Sequence, residues 1–288
     1  MINGSTAVFG VIGNPVSHSF SPQIHGYFAE KHGFDMAYLP FRVADNNVKE
    51  AVNGAYALGI KGLNVTIPHK MAVMPHLIKI DDMAEKIGAV NTLVWAEGGY
   101  EGYNTDYIGI IRSIEKTGLN VAGADVLIIG AGGSAYAAAA AACTMGVGKI
   151  TIANRSLKNA DKVAYIINKH YNTKVEIIGL DEIVGADIAI QTTTLGFGAK
   201  AGESPVRDAS FFSKLSLAFD IIYTPWETVF LKAAREVGVP CINGFPMLVY
   251  QALAAFEIWA NRFFGYKLKE YDAEVYLNDL QKIYDKSK

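Results

Sequence analysis

The sequence predicts an α/β protein in two domains, each built around a mostly parallel sheet, and three observations carry that reading. Apolar runs of strand length alternate with helical patterns along nearly the whole chain, which is how βαβ units read in sequence. A glycine-rich turn, Gly130-Ala131-Gly132-Gly133, lies between an apolar strand and an alanine-rich helix. The length, 288 residues, falls where single hydrophobic cores stop growing, at about 250 to 300 residues.

The elements follow in order. Ala7 to Ile12 reads as a strand, Pro22 to His32 as a helix, and Ala37 to Phe41 as a second strand. Asn47 to Leu58 is an amphipathic helix stopped by Gly59, and Gly62 to Thr66 is the next strand. Ala89 to Trp95 and Tyr100 to Tyr103, separated by Glu97-Gly-Gly99, predict a hairpin. Tyr107 to Thr117 places Ile108, Ile111 and Ile114 on one helical face and is expected to link the domains. A second βαβ series then runs through strands at Asp125 to Ile129, Lys149 to Ala153, Val175 to Ile178, Ile188 to Ile190 and Leu217 to Ile222. Its helices begin near Ser134 and Ala160. Gly196 to Pro205 is glycine-rich and aperiodic, so a surface loop is expected. Helices over Met247 to Phe264 and Ala273 to Tyr284 are expected to return to the first domain.

Composition removes several function classes. Hydrophobic residues make up 51% and charged residues 19%, with a net charge of −2. That is a folded chain without the basic patch that DNA, RNA or an anionic membrane favours, so a small-molecule partner is expected. Cys143 and Cys241 have no Cys-x-x-Cys neighbour, and the six histidines show no ligand spacing, so neither a disulfide framework nor a metal site is expected. The N-terminus lacks a basic signal-peptide start and the longest alanine-rich stretch is too short to span a bilayer, which points to a cytoplasmic protein. No Gly-x-Ser-x-Gly elbow or P-loop lysine is present.

Gly130-x-Gly132-x-x-Ala135 has the strand-turn-helix setting of a dinucleotide fingerprint. The first glycine permits the turn, the second admits a pyrophosphate, and Ala135 takes the third place where helix packs on strand. Backbone amides at Gly130, Ala131, Gly132, Gly133 and Ser134, with the helix dipole, suit the phosphates. Where an NAD enzyme carries an acid for the ribose hydroxyls, this chain has Asn154-Arg155-Ser156 and Lys158. Guanidinium, amide and hydroxyl groups favour a 2′-phosphate, hence NADP (NADPH) over NAD.

Before that fingerprint lie three polar motifs. Ser19 and Ser21 are two apart, so an extended segment would turn both hydroxyls the same way. Ser21-Pro22 is equally an N-cap followed by a first-turn proline. Asn64-Val-Thr66-Ile-Pro68-His-Lys70 sets polar residues at alternate strand positions ahead of a lysine, a residue able to act as general acid or base in a partly closed pocket. Asp106, after Asn104-Thr105, is a candidate partner for it.

In this order the motifs resemble the shikimate/quinate dehydrogenase family over nearly the full length. The resemblance implies a substrate-binding catalytic domain, residues 1–107 and 242–288, and a Rossmann NADP-binding domain, residues 108–241. It implies that Lys70 and Asp106 are catalytic, Lys70 as proton donor and acceptor. Ser19 and Ser21 would hold a substrate carboxylate, Asn64, Thr66, Asn91 and Gln251 the ring side of the substrate, with Tyr223 nearby. Asp220-Ile-Ile-Tyr223-x-Pro225-x-x-Thr228 and Gly244-x-x-Met247-Leu248-x-x-Gln251 match two further motifs, in which Ile221, Gly244 and Met247 would approach the nicotinamide. The implied reaction is NADP-dependent reduction of 3-dehydroshikimate to shikimate, a step toward aromatic amino acids, by a monomer or homodimer. A quinate/shikimate or aminoshikimate dehydrogenase of broader cofactor use is the alternative within the fold, and a non-catalytic metabolite sensor the alternative outside enzymes. The chain departs from the family pattern at Gly26 and Gln191, where asparagine is common, and at Tyr107, where glycine is common.

Overall fold

The computed structural model describes residues 2–183, 185–206, 208–268 and 272–287. The chain divides into two compact units, Met1–Thr105 with Val249–Lys288, and Asp106–Leu248.

The first unit holds a six-stranded sheet in the order β2-β1-β3-β5-β6-β4. Its strands are β1 (Ala7–Gly13), β2 (Met36–Arg42), β3 (Gly62–Val65), β4 (Lys79–Ile80), β5 (Thr92–Ala96) and β6 (Gly99–Tyr103). β1 runs parallel to both β2 and β3, and β4 parallel to β6. β5 pairs antiparallel with β6 through the hairpin expected at residues 97–99, and antiparallel with β3 on its other edge. Helices α1 (Ser21–His32) and α2 (Val48–Ala57) supply the crossovers. β4 and α3 (Asp82–Ile87) were not legible in the sequence. A two-residue strand has no period to read, and the short helix depends on its caps: Asp81 accepts from the Met83 amide at 3.0 Å, and Gly88 closes it in the left-handed region.

Both sheet faces are buried. Ile12, Val52, Leu63, Val65 and Leu93 pack on one, and Phe9, Val11, Tyr38, Val94 and Trp259 on the other. Trp259 belongs to α8 (Gly244–Phe264), and its indole N–H donates to the Leu93 carbonyl at 3.0 Å while its ring lies 5.0 Å from Phe9. α9 (Asp272–Lys286) packs against α1, where Tyr27 donates to Asp279 at 2.9 Å. The C-terminal helices therefore close the first unit's core, and the unit boundary falls within α8.

The second unit is opened by α4 (Asp106–Glu115) and holds six parallel strands. These are β7 (Asp125–Ile129), β8 (Lys149–Ala153), β9 (Lys174–Ile178), β10 (Ile188–Gln191), β11 (Leu217–Asp220) and β12 (Cys241–Ile242), in the order β12-β11-β10-β7-β8-β9. Counted within the unit that is 3-2-1-4-5-6 read from the β9 edge, the dinucleotide-fold order, with its switch point between β7 and β10. α5 (Gly133–Thr144) buries an unbroken run from Ala135 to Ala142, all alanine but Tyr136, and the small side chains let it lie close against its neighbours. α6 (Leu157–His170) and α7 (Val229–Glu236) complete the cover. β11 stops two residues before the expected Ile222, because the Asp220 carboxylate accepts the Ile222 amide at 3.0 Å and turns the chain. Gly196 to Pro205 contains one short 3-10 turn, Gly198–Lys200, and is mostly exposed outside it.

Candidate active site

In the first unit the polar residues gather at the ends of β1 and β3 and the start of β5. Ser21 is not the N-cap of α1. Phe20 occupies that place in a helical conformation, and Ser21 is the first helical residue. The segment is therefore a turn and not extended, and the two serines meet differently from the same-side expectation for an extended segment: the Ser19 hydroxyl accepts the Ser21 amide at 3.3 Å. Ser19 thus serves a helix N-terminus and leaves both hydroxyls beside its positive end. Ser21 is buried and Ser19 half-buried.

Asn64 opens the polar alternation near the end of β3 and is 6% exposed. Its carboxamide nitrogen donates to the Asn91 carbonyl and to the Thr92 hydroxyl, each at 3.2 Å, and its oxygen accepts from Tyr38 at 2.7 Å. Asn91 accepts from the Thr105 amide at 2.7 Å and donates to Gln251 of α8 at 3.3 Å. The structure thus brings Asn64, Asn91 and Gln251 into one cluster. Thr66 is half-buried just beyond β3, where its amide donates to the Ile12 carbonyl at 2.9 Å. Lys70 follows in a turn, is half-buried, and is held by its backbone, whose carbonyl accepts the Val90 amide at 2.8 Å. Asn104 braces the next motif by donating to the Ala89 carbonyl at 2.9 Å.

Two buried groups in this half were not singled out by sequence. Burial raises the Tyr38 phenol well above its ordinary pKa, with the Ser21 hydroxyl opposing. His25 stacks on Tyr38 with ring centroids 4.3 Å apart, and burial pushes its imidazole down to about 3, against an opposing interaction with Asn64. It is a neutral core histidine, and an aromatic residue on a strand reads as ordinary core, so no sequence signal marked Tyr38.

In the second unit Asp106 is the first residue of α4 and is 4% exposed. The fingerprint glycine closes β7: Gly130 has φ +116°, and a Cβ there would stand 2.5 Å from the Thr192 hydroxyl, so only glycine fits. Thr192 itself donates by both amide and hydroxyl to the Ile129 carbonyl, each at 2.8 Å, sealing the switch point between β7 and β10. Gly132 caps α5 without a side-chain bond, Ala131, Gly133 and Ser134 lie beside it, and the helix carries no acid in its first turn. A helix start of this kind, uncapped by its N-cap side chain and free of acid in its first turn, suits a phosphate. At the end of β8, Asn154 donates to the Ser156 carbonyl at 2.9 Å, while Arg155 and Lys158 are exposed, with no acid from 154 to 158. These residues fit a phosphorylated ribose.

Across from them β11 delivers Asp220 into a buried knot. Its carboxylate accepts Thr228 at 2.6 Å, the Ile222 amide at 3.0 Å and Gln191 at 3.5 Å, and burial nevertheless pushes its pKa up to about 6. Ile221 and Tyr223 ride on the turn that follows. Gly244 is pressed against it: a Cβ would fall 1.9 Å from the Ile221 carbonyl. Met247, 7% exposed, follows one turn along α8. Among the described residues no group of three His, Cys, Asp or Glu side chains could hold a metal, and no helix is long and apolar enough to cross a membrane.

Comparison with known proteins matches both halves. Residues 11–93 fit the model of the shikimate dehydrogenase substrate binding domain, and residues 113–200 that of shikimate / quinate 5-dehydrogenase. The shikimate dehydrogenase (NADP(+)) of Caldanaerobacter subterraneus subsp. tengcongensis is 44% identical over 91% of this chain and 95% of its own. A crystal structure of a shikimate dehydrogenase in complex with NADP+ superposes with a TM-score of 0.87 at 39% identity, covering 97% of each chain. The Listeria monocytogenes shikimate 5-dehydrogenase, solved with shikimate and NAD, gives 0.86 at 32% identity over 97% of this chain and 98% of that one. With both domain models matched in order and identity sustained across nine-tenths of the sequence, the chain belongs to the shikimate/quinate dehydrogenase family.

Proposed function

We propose that the chain catalyses the reversible NADP-dependent reduction of 3-dehydroshikimate to shikimate. The observation that carries this reading is the first unit's set of recognition groups. Hydroxyls (Ser19, Ser21, Thr66), oriented amides (Asn64, Asn91, Gln251) and one lysine (Lys70) suit a polyhydroxylated ring acid, and no carboxylate stands among them. The near relatives' NADP(+) dependence and the basic, acid-free stretch at Arg155 support the cofactor assignment.

Ser19 and Ser21, at the N-terminus of α1, take the substrate carboxylate. Thr66, Asn91 and Gln251 take the ring hydroxyls, with Asn64 behind them on the ring side and Tyr223 beside them. Gly130 to Ser134 hold the pyrophosphate by their amides, Asn154, Arg155, Ser156 and Lys158 hold the 2′-phosphate, and Ile221, Gly244 and Met247 line the nicotinamide end. When bound, NADPH supplies the hydride that converts the ketone carbon to a secondary alcohol. Lys70 gives its ammonium proton to the developing alkoxide and recovers one from solvent, and in oxidation it takes that proton back. Asp106 orients the reacting hydroxyl and the lysine.

The test is the initial rate with each of shikimate and quinate, in each of NADP⁺ and NAD⁺, compared as kcat/KM on one preparation. Shikimate with NADP⁺ is expected to dominate. A quinate or NAD⁺ preference would replace this reading with the broader dehydrogenase, and no turnover with intact shikimate binding would replace it with the sensor.

A further inference from the structure

Two backbone groups fix how the amides of the first unit's cluster are turned, while the Thr105 hydroxyl beside them can give or take a proton. The Asn91 carbonyl can only accept, so the Asn64 carboxamide must turn its nitrogen there and its oxygen to Tyr38, which obliges the phenol to donate, at 2.7 Å. The Asn64 nitrogen also donates to the Thr92 hydroxyl at 3.2 Å. The Thr105 backbone amide can only donate, so Asn91 must face it with its oxygen, at 2.7 Å. Thr92 gives its proton to that same oxygen, at 2.9 Å, and the Asn91 nitrogen donates to the Thr105 hydroxyl at 2.9 Å and to the Gln251 oxygen at 3.3 Å. Two backbone groups thus fix a one-way chain, Tyr38 to Asn64 to Thr92 to Asn91 to Gln251, within a single unit.

We propose that Tyr38 is a positioning residue for substrate recognition, heading this chain and fixing, through Asn64 and Thr92, which way Asn91 and Gln251 present their amides to the ring hydroxyls. The proposal rests on the substrate reading above. Tyr38 is 8% exposed, stacked on His25 and in reach of the Ser21 hydroxyl, so it acts through its neighbours, the chain foremost, and not by touching a ligand. A phenol is suited to the place because burial keeps its proton on, so the head of the chain donates at every working pH. Thr92 is wholly buried, and a hydroxyl there is needed to accept from one amide and donate to the next.

Tyr38→Phe removes the first donor without changing the ring. It is expected to raise KM for shikimate about 3- to 10-fold, the range of one lost hydrogen bond, while kcat stays within about 2-fold and KM for NADP⁺ is unmoved. Thr92→Val, which interrupts the chain at its middle, is expected to reproduce the KM defect, and Thr92→Ser to restore it, so the test survives if one variant folds poorly. An unchanged shikimate KM in both Tyr38→Phe and Thr92→Val, or equal losses in kcat and in NADP⁺ affinity, would overturn the proposal. A second readout separates it from the choice of substrate. In ligand-free protein, the ¹⁵N side-chain amide signals of Asn64, Asn91 and Gln251 are expected to shift together in Tyr38→Phe. Unmoved Asn91 and Gln251 signals would sink the chain even for an enzyme that turned over shikimate normally, and shifted signals would uphold it even for one that did not.

Discussion

Replacing Asp220 by asparagine isolates the most strongly perturbed carboxyl of the second unit. Asp220 has no solvent exposure, and its three hydrogen bonds, from Thr228, Ile222 and Gln191, all favour the charged form. Burial outweighs them and lifts the carboxyl from 3.8 to about 6. The folded protein therefore binds this proton more tightly than the unfolded chain does. The stability this gives is fully present below the unfolded pKa and is lost as pH rises through the folded one. A difference of roughly 2 in pKa corresponds to about 3 kcal/mol.

Asparagine cannot ionise, so that slope disappears with it. The oxygen of the introduced carboxamide can keep the Ile222 amide, but its nitrogen replaces the oxygen that accepted Thr228, and the loss of that acceptor costs about 1 kcal/mol at any pH. Urea unfolding followed by fluorescence, at intervals from pH 4 to 7.5, gives both proteins' stabilities. Wild type is expected to be the more stable at pH 4, and its advantage over Asp220→Asn to fall by about 2–3 kcal/mol by pH 7.5. Groups that titrate alike in the two proteins cancel in the difference. A difference that stays flat, or that grows as pH rises, would show that Asp220 is not a burial-strained carboxyl and would refute the argument.

Other outcomes follow from the site. Lys70→Ala is expected to lower kcat by about 10²- to 10⁴-fold, the usual scale of a lost general acid or base, with KM for shikimate changed far less. Near-normal turnover with only a weaker KM would make Lys70 a binder. Gly130→Ala, judged by thermal unfolding and NADP⁺ titration, is expected to lose stability by about 1–3 kcal/mol from the strained φ and to weaken cofactor binding as Thr192 is pushed aside. Unchanged values of both would mean that the turn relaxes freely. Arg155→Gln is expected to raise KM for NADP⁺ and leave that for NAD⁺ alone, and equal effects on both would remove the residue from 2′-phosphate recognition.

The parts of the fold that sequence disclosed are those whose local signals agree. β7, Gly130 and the alanine run of α5 form such a segment: strand propensity, a turn only glycine can make, and a helix of small residues all point one way. α7 was missed although it is strongly one-sided, because Val229 to Glu236 is short and follows a proline-containing turn. At the site, residue identity was legible and conformation was not. Ser21-Pro22 reads as cap and first turn, yet the helix begins one residue earlier, with Ser19 supplying the side-chain acceptor. Tyr38 left no trace at all, since what distinguishes it from any strand aromatic is a partner, Asn64, 26 positions away.

Gln191 shows how a departure from a family pattern can be absorbed within its own turn. A glutamine in place of the usual asparagine at the end of β10 would be expected to push one more methylene toward the nicotinamide wall. Instead its side chain is wholly buried and folds back on its own turn. Its oxygen accepts the Thr193 amide, and its nitrogen donates to the Leu195 carbonyl at 2.8 Å and reaches Asp220 at 3.5 Å. The extra length thus lets one residue cap the turn after β10 and also touch the carboxylate that shapes the turn after β11. Thr192, between Gln191 and that capped turn, is the residue whose hydroxyl closes on Gly130. The extra methylene is thus accommodated inside the turn itself. A Gln191→Asn variant should accordingly alter stability before it alters the choice between NADP⁺ and NAD⁺, and a switch in cofactor preference at unchanged stability would place the side chain against the ligand after all.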